Sequence, residues 1–316
     1  MDNLITAFSQ IVETSNILTD KVSSVNVKSE AILSRLLTLE DQVESLKYVN
    51  AEVISSPENL VQPDKDLVIN ISEPVSGTTE ISAKDLSVKE FEATDGLVKF
   101  TATENVTVKN LSTSGDLPKT TANAQVQVNA SEYVKITQSS IDQTGYNAIE
   151  VGLKTIPKSV IIDGVSFNST LTNNAISIFG TQDGGTITIQ NCKFAKCSNP
   201  LRLSNNTGGK VTVNIIDCEF NDWDTNPTWA GMIICQDYTS KQANLAQENN
   251  LFSPDKMTIN IINCTKNGNK ITMTTPESVC GTNNADTQLL YVWNEYENSV
   301  PYSIFSIPSK LLVCAS

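Results

Sequence analysis

A six-residue pattern that recurs along the chain limits the folds open to it. The clearest copies are Ile162-Asp-Gly-Val-Ser-Phe167, Ile189-Gln-Asn-Cys-Lys-Phe194, Ile215-Ile-Asp-Cys-Glu-Phe220 and Ile261-Ile-Asn-Cys-Thr-Lys266. Weaker copies start at Val108 and Ile136, so successive starts from 108 to 215 lie 28, 26, 27 and 26 residues apart. A second set keeps the same pace: Ile149-Glu-Val151, Ile176-Ser-Ile178, Leu201-Arg-Leu203 and Met232-Ile-Ile234. Self-similarity at such a period means stacked units, each burying its apolar side only against its neighbours. The units alternate apolar and polar residues with period two and contain no helical stretch, which predicts a solenoid with at least two short strands per coil, stacked at ~4.8 Å. The alternation sends the leading Ile, the Phe and the column Val165, Cys192, Cys218 and Cys264 inward. The position before that column holds Asn110, Gln138, Gly164, Asn191, Asp217 and Asn263. These read as a bend, where side-chain amides bond along the stack and unusual backbone angles are tolerated.

A different period governs residues 1–53. Steps of seven from Leu4 give Leu4, Ile11, Leu18, Val25, Ile32, Leu39, Leu46 and Val53 at heptad position d, with Phe8, Ser15, Val22, Ser29, Leu36, Val43 and Asn50 at a. Neither Pro nor Gly occurs before Pro57. The segment is expected to be a helix about 80 Å long at ~1.5 Å per residue. A sustained average of 3.5 residues favours a coiled coil with partner chains over a lone amphipathic helix. Val25, Ile32 and Ile11 are β-branched at d, which suits three or four strands better than a parallel dimer, so a homotrimer is expected.

Composition excludes several activities. The chain has no His, which removes the commonest general base and the commonest transition-metal ligand. Its 35 Asp and Glu against 22 Lys and Arg give a net charge of -13, which disfavours nucleic acid as a partner. Seven Cys without a CxxC pair read as reduced thiols, and neither a metal nor a cofactor is expected. Met1-Asp2-Asn3-Leu4 lacks a cationic lead and no apolar run approaches a membrane span, so synthesis in a cytoplasm without a signal peptide, and no membrane partner, are expected.

The Ile-x-Asn-Cys-x-Phe type of repeat with Asn at the bend resembles the pectate-lyase-like right-handed parallel β-helix superfamily, over roughly residues 100–275. Joined to an N-terminal oligomerising helix, the layout is similar to that of bacteriophage head fibres and tailspikes. The resemblance implies a mainly β fold: a coiled-coil stalk over 1–53, a linker over 54–66, a right-handed parallel β-helix over 67–275 with an insertion at about 221–256, and a cap or tip over 276–316. It implies a virion surface protein anchored to a capsid or other virion protein through its N-terminus and able to bind host glycan. The alternative is a tailspike-type polysaccharide depolymerase, and a third class is an intracellular scaffold.

If the chain is an enzyme, its acids are the place to look, because glycan hydrolysis needs paired carboxylates. Asp217 and Glu219 are two apart on an expected strand, hence on one outward face, and Asp222 and Asp224 follow. Trp223 and Trp229 beside them suit a sugar platform, and Tyr291, Trp293 and Tyr296 form a second aromatic group. The repeat stretches here from its usual step to 46 residues, between Ile215 and Ile261, so loops are expected to protrude. Equally, acids on an acidic solenoid are often just solvated. Glu150, Asp163 and Asp183 lie in other coils, and Arg202 is the only arginine of the solenoid region, against the catalytic arginine and acid-bound calcium that the lyase resemblance would imply.

Overall fold

The computed structural model describes residues 51–55, 60–116, 124–144, 147–221, 233–236, 256–270, 278–280, 290–293 and 312–315, together with Leu39, Gln42, Val43, Leu46 and Tyr48. The chain divides into two units, Met1–Asn50 and Ala51–Ser316. In the first, Leu39, Gln42, Val43 and Leu46 are helical. The remaining heptad positions, Leu4, Phe8, Ile11, Leu18, Val22, Val25, Ile32 and Leu36, lie outside the described residues.

The second unit is mainly β, and its strands join in one continuous, predominantly parallel hydrogen-bonded array of the β-solenoid kind. Each full coil contributes three strands, one more than the minimum read from the sequence. In the first column Tyr133–Thr137, Ser159–Asp163, Gly185–Gln190, Val211–Ile216 and Met257–Ile262 stack in order. The second column passes from Ser140–Thr144 through the Phe167 and Phe194 positions to Glu219–Asn221. The third runs from Ala124–Asn129 and Asn147–Val151 through residues 176–178 and 201–203 to Ile233–Gln236.

Registry in these columns places like on like. Val134, Val160, Ile187, Val213 and Ile259 pair in succession and are each buried completely. Burial of such side chains contributes about 1.5–3 kcal/mol apiece, and β-branched residues fit a pleated sheet because few of their rotamers are lost there. The aromatic position stacks most regularly: the Phe167 and Phe194 rings are 5.0 Å apart and tilted by 4°, and Phe194 and Phe220 are 5.0 Å apart and tilted by 7°.

The repeated hexapeptide turns out to be the corner between the first and second columns. All six bend residues have positive φ: 51° at Asn110, 49° at Gln138, 64° at Gly164, 52° at Asn191, 51° at Asp217 and 52° at Asn263. This left-handed region strains residues that carry a Cβ, Asn and Asp least, and leaves Gly unstrained, which accounts for five of the six residues of the column, Gln138 being the exception. The bend backbones also bond up the stack, with the N–H of Gly164, Asn191 and Asp217 each donating at 3.0 Å to the next coil. Replacing Asn191 with Val is therefore expected to destabilise the unit by about 1–2 kcal/mol through φ alone. Asn191→Gly should cost less, because it keeps the backbone angle and loses only the Asn191 amide bond to Asp163. Urea midpoints of the two variants check the order.

Three sequence boundaries need correction. Val53, expected as the last d residue of the stalk, belongs to the strand Glu52–Ile54, which pairs with residues 67–69. The expected linker over 54–66 contains a second strand, Leu60–Gln62, paired with residues 81–83. The solenoid thus begins near Ala51, and its first coils are short, since Leu67, Leu86 and Val106 are in register. Finally, Leu201 faces Ile233 and Leu203 faces Cys235, so the last copy of the third column is Ile233-Ile-Cys235 rather than Met232-Ile-Ile234. Beyond it, Leu290–Trp293 pairs antiparallel with Ile233–Gln236, and Leu312–Ala315 adds in parallel to Met257–Ile262, so both final strand edges are covered.

Candidate functional site

The structure separates the two acids at the centre of the sequence reading. Asp217 is not on a strand with Glu219 but on the left-handed bend that closes the first column, and Glu219 opens the second column beyond the corner. Between them Cys218 turns inward and is buried. The corner, which alternation along an uninterrupted strand does not anticipate, is the physical reason. Each acid also has a partner in another coil. Asn263 Nδ2 donates to Asp217 Oδ1 at 2.5 Å, and Lys193 Nζ lies 3.2 Å from Glu219 Oε1. Asp222, Trp223, Asp224, Trp229 and Tyr296 lie outside the described residues. Tyr291 and Trp293 occupy the antiparallel strand Leu290–Trp293, opposite Cys235 and Ile233.

The other acids are likewise held by the stack. Asp163 accepts from Gln190 Nε2 at 2.9 Å and from Asn191 Nδ2 at 2.8 Å, while Asp183 Oδ1 accepts from the Lys210 N–H at 2.7 Å. Carboxylates used this way brace successive coils.

One polar row was not legible as such. In the third column Gln127, Glu150, Ser177 and Arg202 are in register between apolar neighbours that point into the core. Simple alternation would put this row in water, yet its members are 5%, 1%, 1% and 3% exposed. Glu150 accepts from Asn147 Nδ2 at 2.9 Å and Gln127 Nε2 at 3.1 Å. Asn147 in turn accepts from the backbone N–H and the side-chain amide of Asn174, both at 3.1 Å. The Arg202 guanidinium sits over the Phe179 ring, 5.4 Å from its centre. Burial raises the Glu150 carboxyl above its ordinary value, against the opposing pull of the two amide bonds and the Arg202 charge.

That shift has a definite sign. An acid whose folded value is raised binds its proton more tightly in the native state, so stability falls as pH climbs from about 4.5 through the folded value and stays lower above it. Glu150→Gln removes the titration, and flips of the neighbouring amides can satisfy the new side chain. Between pH 4.5 and 7.5 the wild-type urea midpoint should therefore fall more than that of the variant. Equal falls would mean that Glu150 titrates normally.

The cysteine column forms a third internal feature. Cys192, Cys218 and Cys264 stand on successive coils, and the Cys218 N–H donates to Cys264 Sγ at 3.4 Å. Each thiol lies 3.2–3.4 Å from the carbonyl two residues back and 3.5–3.6 Å from that of an Ile one coil away. Ser139 occupies the same column, with Oγ 2.8 Å from the Thr137 carbonyl. A weak donor that still packs as a small apolar group satisfies the corner carbonyl without opening the core. The bond to Cys192 holds the Cys218 thiol above the ordinary range, the bond to Cys218 does the same for Cys264, and burial pushes Cys197 up to about 12. Thiols held in this way are poor nucleophiles and poor metal ligands. No group of three or more Cys, Asp or Glu among the described residues is placed to hold a metal ion.

Against protein-family models, curated proteins and solved structures, the chain matches none. What the geometry offers is accordingly read from its own residues. Asp163, Asp183, Asp217 and Glu219 each hold a residue of another coil, and the Glu150, Cys197, Cys218 and Cys264 groups are buried. Both arrangements tie successive coils together.

Proposed function

We propose that the protein is a noncatalytic, homotrimeric fibre of a virus particle, a head fibre or capsid decoration whose N-terminal helix forms a coiled-coil stalk. In this reading the N-terminus attaches to a capsid or other virion protein and a right-handed β-helix is displayed to the surroundings, where it meets host glycan. The observation that carries it is the exposure of Leu39, Val43 and Leu46. They are helical, occupy successive d, a and d positions, and are 54%, 66% and 71% exposed in the single chain. An apolar stripe at heptad spacing is stable in water only when further helices cover it. The occupation of Asp217 and Glu219 by Asn263 and Lys193 supports the noncatalytic half of the proposal, since both would have to leave these partners to work as a pair.

The test has two arms. Mass spectrometry of purified particles should find the chain in the virion. Incubation with capsular and cell-wall glycans should release neither new reducing ends nor unsaturated uronates. Turnover that disappears in Asp217→Asn would replace this reading with a depolymerase.

A further inference from the structure

We propose that the outer face of the first strand column, over residues 159–163, 185–190, 211–216 and 257–262, is the lateral contact between solenoids of neighbouring copies of this chain. This rests on the homo-oligomeric reading above.

On those four strands the side chains between the buried ones form three outward rows of four, in register from coil to coil. Within the rows Asp163 is the only charged residue, and its carboxylate is engaged by Gln190 and Asn191. The remaining positions are Ser, Thr, Asn, Gln and three outward isoleucines, Ile161, Ile216 and Ile262. In a chain of net charge -13 this depletion is local, because the two preceding coils of the same column carry Lys109 and Lys135.

Acidic copies held side by side repel one another wherever their charges meet, so the face that can be brought together is the one nearly free of charge. Depletion of charged residues also characterises the cores of protein interfaces. β-Branched Thr and Ile lose little rotamer freedom when covered. The occupant is a second copy for a quantitative reason. Strand spacing and rise give the face roughly 300 Å2, well below the ~800 Å2 per partner of a stable free complex. A patch of that size holds only partners already kept at millimolar effective concentration, about what a short tether supplies. The coiled-coil stalk proposed above would supply such a tether.

A photo-crosslinking phenylalanine placed at Thr188, in the middle row, tests this in the full chain. Irradiation of a dilute sample should give covalent multimers, several-fold more than the same probe at exposed Lys154. Adding Thr212→Glu and Ile216→Glu should abolish them while light scattering still reports a multimer. A probe at Val43 separates the two possible failures. Multimers from Val43 with none from Thr188 would overturn the lateral face and leave the oligomer intact. Monomers from both, with a monomeric mass in solution, would overturn the face together with the oligomeric reading.

Discussion

Aspartate at Leu39 and Leu46 together is expected to turn the full-length protein from a multimer into a monomer in light scattering. Each substitution is repeated in every chain, so a trimer would gather six carboxylates in an apolar seam without counter-charges. An unpaired buried charge costs about 3–5 kcal/mol where it cannot escape to water, and each lost Leu removes about 1.5–3 kcal/mol of burial. Both side chains are more than half open to water in one chain, 54% and 71% exposed. The circular dichroism of the β unit should therefore be unchanged, because Ala51–Ser316 is a separate compact unit. Glu44→Gln, at an outer heptad position, should leave the multimer intact. A wild-type protein that is already monomeric would remove the foundation of the proposed fibre.

The second large effect is expected inside the solenoid. Phe194 is fully buried and stacked on both sides, against Phe167 and Phe220. Truncation to Ala opens a cavity in the middle of the aromatic column, and such changes cost about 3–5 kcal/mol. Aromatic pairs add about 0.5–1.5 kcal/mol beyond area, and two pairs are lost at once. Phe194→Ala should lower the urea midpoint more than any bend variant does. Phe194→Leu, which refills most of the volume, should recover much of the difference. Similar midpoints for Ala and Leu would show that the column relaxes around the gap.

The parts of this fold that could be read from sequence are those where the chain turns by a left-handed residue. From Asn110 to Asn263 each such corner places Asn, Asp, Gln or Gly between an inward Val or Ile two residues before it and an inward Leu, Ser, Val or Cys just after it, and that signature repeats. The first coils have no equivalent. Thr79–Thr94 runs through all three columns as one extended strand, with register shifts between Ala83 and Asp85 and between Val88 and Glu90 in place of marked corners. Its coils carry no Asn-marked corner. The slip at Met232 has a related cause, since it lies inside the 46-residue stretch between Ile215 and Ile261, where the repeat spacing no longer fixes its phase.

The polar row escapes period-two alternation for a different reason. Period two tells inside from outside only where the outside is wet, and Glu150 and Arg202 lie in a column buried on both faces. Asn147 and Asn174 were the available clue, because amides at matching positions in successive coils can bond along the stack. Asp217 and Glu219 illustrate the opposite limit. Their types and spacing suggested chemistry, and only the positions of Asn263 and Lys193 show what they hold.

The stretched coil sets a rule for modifying the molecule. Val211–Ile216 and Met257–Ile262 pair over six consecutive residues without a slip, although 46 positions separate each matched pair. Coil length therefore varies within the solenoid, because these two strands keep their register across a coil longer than its neighbours. Peptides or reporter epitopes grafted between Gln236 and Lys256 should leave the pairing of Val211–Ile216 with Met257–Ile262 intact, and the stack would then hold each guest at one fixed coil.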